Sequence, residues 1–126
     1  SCCKGVFMTS RIVHICQSEK MRLKLDNLLI KKMGEEYTIP LSDISIIVAE
    51  GGDTVVTLRL LSALSKYNIA LIVCDNEHLP TGIYHSQNGH FRAYKRLQEQ
   101  LLWSQEQKDK LWQLVTYFKI NNHLFI

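Results

Sequence analysis

The stretch Leu41–Leu61, LSDISIIVAEGGDTVVTLRLL, changes its hydrophobic period half-way along, and that change decides the fold class. Ile44–Ala49 is continuous and apolar, as a short strand covered on both faces should be. Gly51-Gly52 then breaks the chain. Beyond it Val55, Leu58, Leu60, Leu61 and Leu64 recur at spacings of three and four, which predicts a helix with one broad apolar face. Asp53 or Thr54 is placed to accept hydrogen bonds from the first free amides of that helix. Lys66 suits the last turn, and Asn68 can adopt the left-handed conformation that ends it. Ile69–Cys74 (IALIVC) follows as a second buried strand.

Upstream, Arg11–Gln17 (RIVHICQ) is rich in β-branched residues and reads as a strand. Met21–Leu25 alternates apolar and basic side chains, so one side is buried and the basic side is wet. A turn at Asp26-Asn27 leads to a strand at Leu28–Ile30, and Tyr37–Pro40 is a strand closed by proline, suiting an edge or an end. The first 50 residues thus predict a meander of short strands. Downstream, Pro80–Tyr84 suggests a further strand. From Phe91 the period becomes helical, with Tyr94, Leu97 and Leu101 on one stripe. Ser104-x-x-Gln107 fits a capping box that restarts a helix carrying Leu111, Leu114 and Val115. The expected fold class is α+β: a two-sheet, sandwich-like domain over residues 8–86 with one helix packed on it, then a helical arm over residues 87–126. Residues 1–7 are set aside as an upstream or expression remnant. The close at His123–Ile126, apolar with no polar ending, reads as a chain cut short.

With 126 residues, 46% of them apolar, the chain can bury a core of its own. No apolar run approaches the roughly 20 residues of a membrane helix. Net charge is +3 but unevenly spread: residues 11–33 carry six basic and two acidic side chains, residues 34–90 two and seven, residues 91–126 six and three. Basic ends around an acidic middle suit a polyanion touching the ends. The four cysteines include no C-x-x-C pair, so neither a zinc ribbon nor a thioredoxin motif is indicated. Cys16 and Cys74 lie in apolar strands and read as buried free thiols; Cys2 and Cys3 are given no role. A reducing, cytoplasmic setting is expected.

Leu41–Leu61, the run CDNEHLPTG at Cys74–Gly82, and WSQEQKDKLWQLVTYFKINN at Trp103–Asn122 together resemble the CRISPR-associated integrase and endonuclease of spacer acquisition, the Cas-one family, in its II-A-like form. The resemblance runs from about Met8 to Asn122. It implies a β-rich N-terminal domain carrying one helix, followed in the family by an all-helical domain. That second domain holds the metal site, two carboxylates and a histidine served by divalent magnesium or manganese, and its motifs have no counterpart positions here. The resemblance therefore implies no catalytic residue and no metal held by this chain. It also implies a homodimer, a small partner of the Cas-two family, and double-stranded DNA with forked or single-stranded ends. The expected role is dimerisation and DNA positioning within the integrase, with no membrane involved.

Two basic clusters are the DNA-binding candidates. Lys20, Arg22 and Lys24 repeat every second residue on a hairpin, and Arg92, Lys95 and Arg96 share a helical face; either pattern presents flexible cations to phosphates, or simply to water. Tyr84 and Phe91 could stack on unpaired bases, with His14 a third candidate from the family's need for a fork wedge. The competing enzyme reading is a metal-dependent nuclease using Asp75, Glu77 and His78, although neighbours on a turn rarely converge on one ion and Asp and Asn after a strand are ordinary turn formers. Glu50 and Asp53 flank Gly51-Gly52 as a possible carboxylate pair, with helix capping by Asp53 the simpler explanation. A third reading is a short regulatory module that pairs with intact subunits.

Overall fold

A computed structural model describes residues 6–9, 11–84 and 91–124, with side chains described except for residues 7, 9, 91, 92 and 118–124. In chain order the elements are β1 (Val6–Thr9), β2 (Ile12–Cys16), β3 (Lys20–Lys24), β4 (Asn27–Lys32), β5 (Glu35–Pro40), a short 3-10 turn (Leu41–Asp43) and β6 (Ile46–Glu50). Then come β7 (Val55–Val56), α1 (Leu58–Lys66), β8 (Ala70–Cys74), β9 (Pro80–Tyr84), α2 (Phe91–Gln100) and α3 (Gln105–Leu124). One sheet has the order β1-β2-β6-β8-β9 and the other β5-β4-β3-β7. The α+β class, the two sheets and the helix after the double glycine agree with the sequence expectation.

The continuous meander does not hold. Only β3-β4-β5 is a meander; β2 pairs in parallel with β6, and β6 in parallel with β8. The reason is burial on two sides. Ile46, Ile47 and Val48 are all fully buried, so β6 must sit at the centre of a covered sheet. Val6–Thr9 pairs antiparallel with β2, so part of the stretch set aside as a remnant adds an edge strand to the fold.

The helix also starts later than expected. Val55 and Val56 extend and pair in parallel with β3, where Val55 N–H donates to the Glu19 carbonyl (3.1 Å) and Thr54 Oγ1 to the Ser18 carbonyl (2.7 Å). A β-branched pair beside an available strand prefers that ladder to a helical turn. Thr57 takes the cap, its Oγ1 accepting from Leu60 N–H at 3.2 Å. The far end is as expected, with Asn68 left-handed at φ 59°.

Two cores share the first sheet. On one face Val13, Ile15, Ile47 and Leu71 meet Met21, Leu28 and Ile30 of the second sheet and Leu60 and Leu64 of α1. On the other, Ile12, Ile46, Val48 and Ile72 meet Tyr94, Leu97, Trp103, Leu111 and Val115 of the C-terminal helices. Each fully buried Leu or Ile contributes about 1.5–3 kcal/mol, so both faces are needed to hold the sheet. The capping box forms as read: Ser104 N–H donates to Gln107 Oε1 (2.8 Å) and Gln107 N–H to Ser104 Oγ (3.2 Å).

Candidate functional site

Strands β2, β6 and β8 run in the same direction and finish side by side. Their last residues are register partners, Cys16 with Glu50 and Glu50 with Cys74. Partners in register project to the same face, and His14, two residues before Cys16, joins them. That face carries Ile12, Val48 and Ile72, so the four side chains lie at the end of the helix-covered core. The turn that follows β8 brings His78. Asp75 Oδ1 accepts from the N–H groups of Glu77 (2.8 Å) and Leu79 (3.0 Å), and His78 N–H donates to the Asp75 carbonyl (3.0 Å). This tight turn, with His78 at φ 66°, aims the imidazole back over the sheet end.

Glu50 is the centre. Its side chain is 7% exposed, with His14 Nε2 against Oε2 and His78 Nδ1 against Oε1. Burial pushes the carboxyl up, but the hydrogen bonds from His14 and His78, and then their charges, outweigh it and hold Glu50 below the ordinary carboxylate value. Cys74 is a buried free thiol pushed up to about 12, first by burial and then by the charges of Glu50 and Asp75. Cys16 is disulfide-bonded, contrary to the free thiol expected of it. Its Sγ lies 3.7 Å from His14 Nε2. Gly51 follows at φ 111°, and a Cβ there would come within 3.0 Å of the Gln17 backbone, so only glycine lets the chain leave the site by this route.

The nuclease constellation of Asp75, Glu77 and His78 does not assemble. The Asp75 carboxylate is committed to its own turn, and His78 faces Glu50 instead. Among the described residues, the grouping that places three metal-competent atoms within 4.8 Å of one another is His14, Cys16 and Glu50. The magnesium or manganese implied by the family resemblance requires mainly oxygen ligands. A nitrogen, a sulfur and one carboxylate do not fit it, and no phosphodiester step is assigned to these residues.

Of the DNA-binding candidates, Lys20 and Lys24 are exposed and Arg22 half-buried, on the face of β3 turned away from Met21 and the inner core. Lys95 and Arg96 are exposed on α2, across the first sheet from that hairpin; the Arg92 side chain lies outside the described residues. The two clusters thus belong to opposite outer layers rather than one patch. Tyr84, on edge strand β9, donates its hydroxyl to the Leu61 carbonyl (2.8 Å), while the Phe91 side chain is outside the described residues. His14 is turned inward onto Glu50. Sequence reasoning pairs Glu50 only with Asp53 and misses its histidine partners. A usable signal is nevertheless present: three apolar strands each end on a polar or sulfur residue, Cys16, Glu50 and Cys74.

Fold and site first define a class, an α+β domain of two mixed sheets whose central parallel strands end in a His–Glu–His cluster beneath a helical cover. Comparison with known proteins then specifies it. The family model for CRISPR associated protein Cas1 matches residues 13–124. The CRISPR-associated endonuclease Cas1 of Neisseria meningitidis serogroup C (strain 8013) is 38% identical over 119 residues, covering 94% of this chain and 39% of that protein. A CAS1 protein from Thermotoga maritima superposes with a TM-score of 0.60 at 17% identity, over 73% of this chain and 28% of that one. The TtCas1–DNA complex gives 0.56 at 8% identity, over 66% and 34%. The chain belongs to the Cas1 family, and it spans about two-fifths of the length of its Neisseria relative.

Proposed function

We propose that this domain holds partner subunits and positions DNA within a CRISPR adaptation integrase, with the strand-transfer chemistry lying outside its 126 residues. The observation that carries the reading is the 38% identity to an endonuclease Cas1 of which this chain spans 39%. The partners are a second copy of the chain, a small Cas-two protein and duplex DNA with splayed ends, met in the cytoplasm. No helix among the described residues is long and apolar enough to cross a membrane. Lys95 and Arg96, with Arg92, supply one set of phosphate contacts from α2, and Lys20, Arg22 and Lys24 a second from β3. Their placement on opposite outer layers suits DNA or neighbouring subunits meeting each layer separately. Sequence preference is slight, because phosphate contacts position DNA without reading bases.

The test is DNA binding by the chain across a salt series. Replacing Arg92, Lys95 and Arg96 together by Ala is expected to flatten the slope of log K against log salt by about 0.7–0.9 for each phosphate left without its cation. The Lys20, Arg22, Lys24 triple variant is expected to flatten it independently. Unchanged slopes in both folded variants would remove DNA positioning by these clusters.

A further inference from the structure

We propose that His14, Cys16 and Glu50 form a binding site for a borderline-soft divalent cation of the zinc type when Cys16 is a thiolate. The donor set is one imidazole nitrogen, one sulfur and one carboxylate oxygen, which is a zinc set and unlike that of a hard cation. Spacing supports it. The three ligand atoms lie within 4.8 Å of one another, and His14 Nε2 is 3.7 Å from Cys16 Sγ. A tetrahedral ion with zinc–sulfur about 2.3 Å and zinc–nitrogen about 2.0–2.1 Å holds its nitrogen and sulfur about 3.5 Å apart. The nitrogen–sulfur separation thus suits the ion, while His14 and Glu50, which hydrogen-bond to each other, must part by side-chain rotation to admit it.

Presentation is rigid, because Cys16 and Glu50 are register partners on adjacent parallel strands and His14 shares their face. The site also has its supporting shell. His78 Nδ1 meets Glu50 Oε1, the carboxylate oxygen turned away from His14, and a ligating carboxylate is ordinarily oriented by such a partner. The His78 carbonyl in turn accepts from Gln107 Nε2 at 2.9 Å, so the start of α3 fixes the loop that fixes the ligand.

The disulfide gates the site. With Cys16 oxidised, its sulfur is withdrawn and only nitrogen and oxygen remain. A dithiol or phosphine reductant delivers two electrons to the S–S bond and leaves two thiols. The incoming cation then displaces the Cys16 proton to solvent. Cellular thiols of a reducing compartment supply that reductant class. The readout of this site involves no DNA.

The experiment is a titration of the reduced chain, freed of reductant without air, with cobalt(II) alone as the probe. One cobalt per chain is expected, with the near-ultraviolet sulfur-to-cobalt charge-transfer band and the visible bands of a tetrahedral ion, both removed by added zinc. Cys16→Ser should abolish the charge-transfer band, and Cys74→Ala should keep it. His78→Ala should keep the band and weaken binding about 10–100-fold, as loss of an orienting partner does. Oxidised protein should show no band. Circular dichroism establishes that each variant is folded. A folded, reduced wild type without the band overturns the proposal, and so does a band that persists in Cys16→Ser, which would place the cobalt on other thiols.

Discussion

Glu50 is a buried carboxylate that stays ionised because two imidazoles face it, one on each oxygen. Its ordinary value is 4.5 and the folded value is lower, so folding is favoured by ionised Glu50 above that pH and loses the contribution as pH falls through the lowered value. The expected outcome is that Glu50→Gln is less stable than wild type at neutral pH, and that the gap closes below pH 4.5. Urea unfolding over a pH series reads this directly, and a gap of constant size would show that ionisation of Glu50 is not what the fold uses. Little of this is visible in one dimension. His14 and His78 stand 36 and 28 positions from Glu50, and only the parallel register and the turn after β8 bring them together. Alone, each has an ordinary local explanation: a strand histidine, a residue before a glycine pair, a turn residue.

Elements are legible where a local rule suffices. The Ser104–Gln107 capping box rests on a four-residue pattern and forms as expected. Its Gln107 also donates to the His78 carbonyl, a tie across 29 positions that no local pattern encodes. Ser104→Ala should cost about 1 kcal/mol, the usual loss of an N-cap. Gln107→Ala should cost more, because it also releases the His78 loop. Chemical unfolding gives the difference, and amide exchange at His78 should quicken only in Gln107→Ala. Equal exchange in both variants would show that the tie does not hold the loop. The start of α1 escapes local reading for the opposite reason. Apolar spacing from Val55 onward is helical by count, but the neighbouring strand β3 offers Val55 and Val56 a ladder, and Thr57 caps the shorter helix.

At the scale of the whole molecule, the sheet β1-β2-β6-β8-β9 has a core on each face. The sequence reading divides the chain into a β-rich domain over residues 8–86 and a helical arm over residues 87–126. Tyr94, Leu97, Trp103, Leu111 and Val115 of that arm cover the second face of the sheet, and all are buried. A chain ended after Tyr84 should therefore expose Ile46, Val48 and Ile72, bind a hydrophobic dye, and unfold less cooperatively. A truncated chain that binds no dye and unfolds as sharply as the whole would make the helices dispensable. The same arrangement separates the two basic clusters, one on the hairpin layer and one on the helix layer.

By itself the sequence determined the element types other than β1 and β7, the α+β class, the double-glycine break, the end of α1 at Asn68 and the cap at Ser104, because each follows from residues a few positions apart. Long motifs further marked the Cas1 family. Tertiary structure alone decided which strands run parallel, that a short β7 displaces the first helical turn, and that the C-terminal helices lid the central sheet. It also decided that His14, Cys16, Glu50 and His78 meet at one strand end. The physical reason is the same in each case: burial and long-range pairing set these outcomes, and neither is encoded at the spacing of a turn.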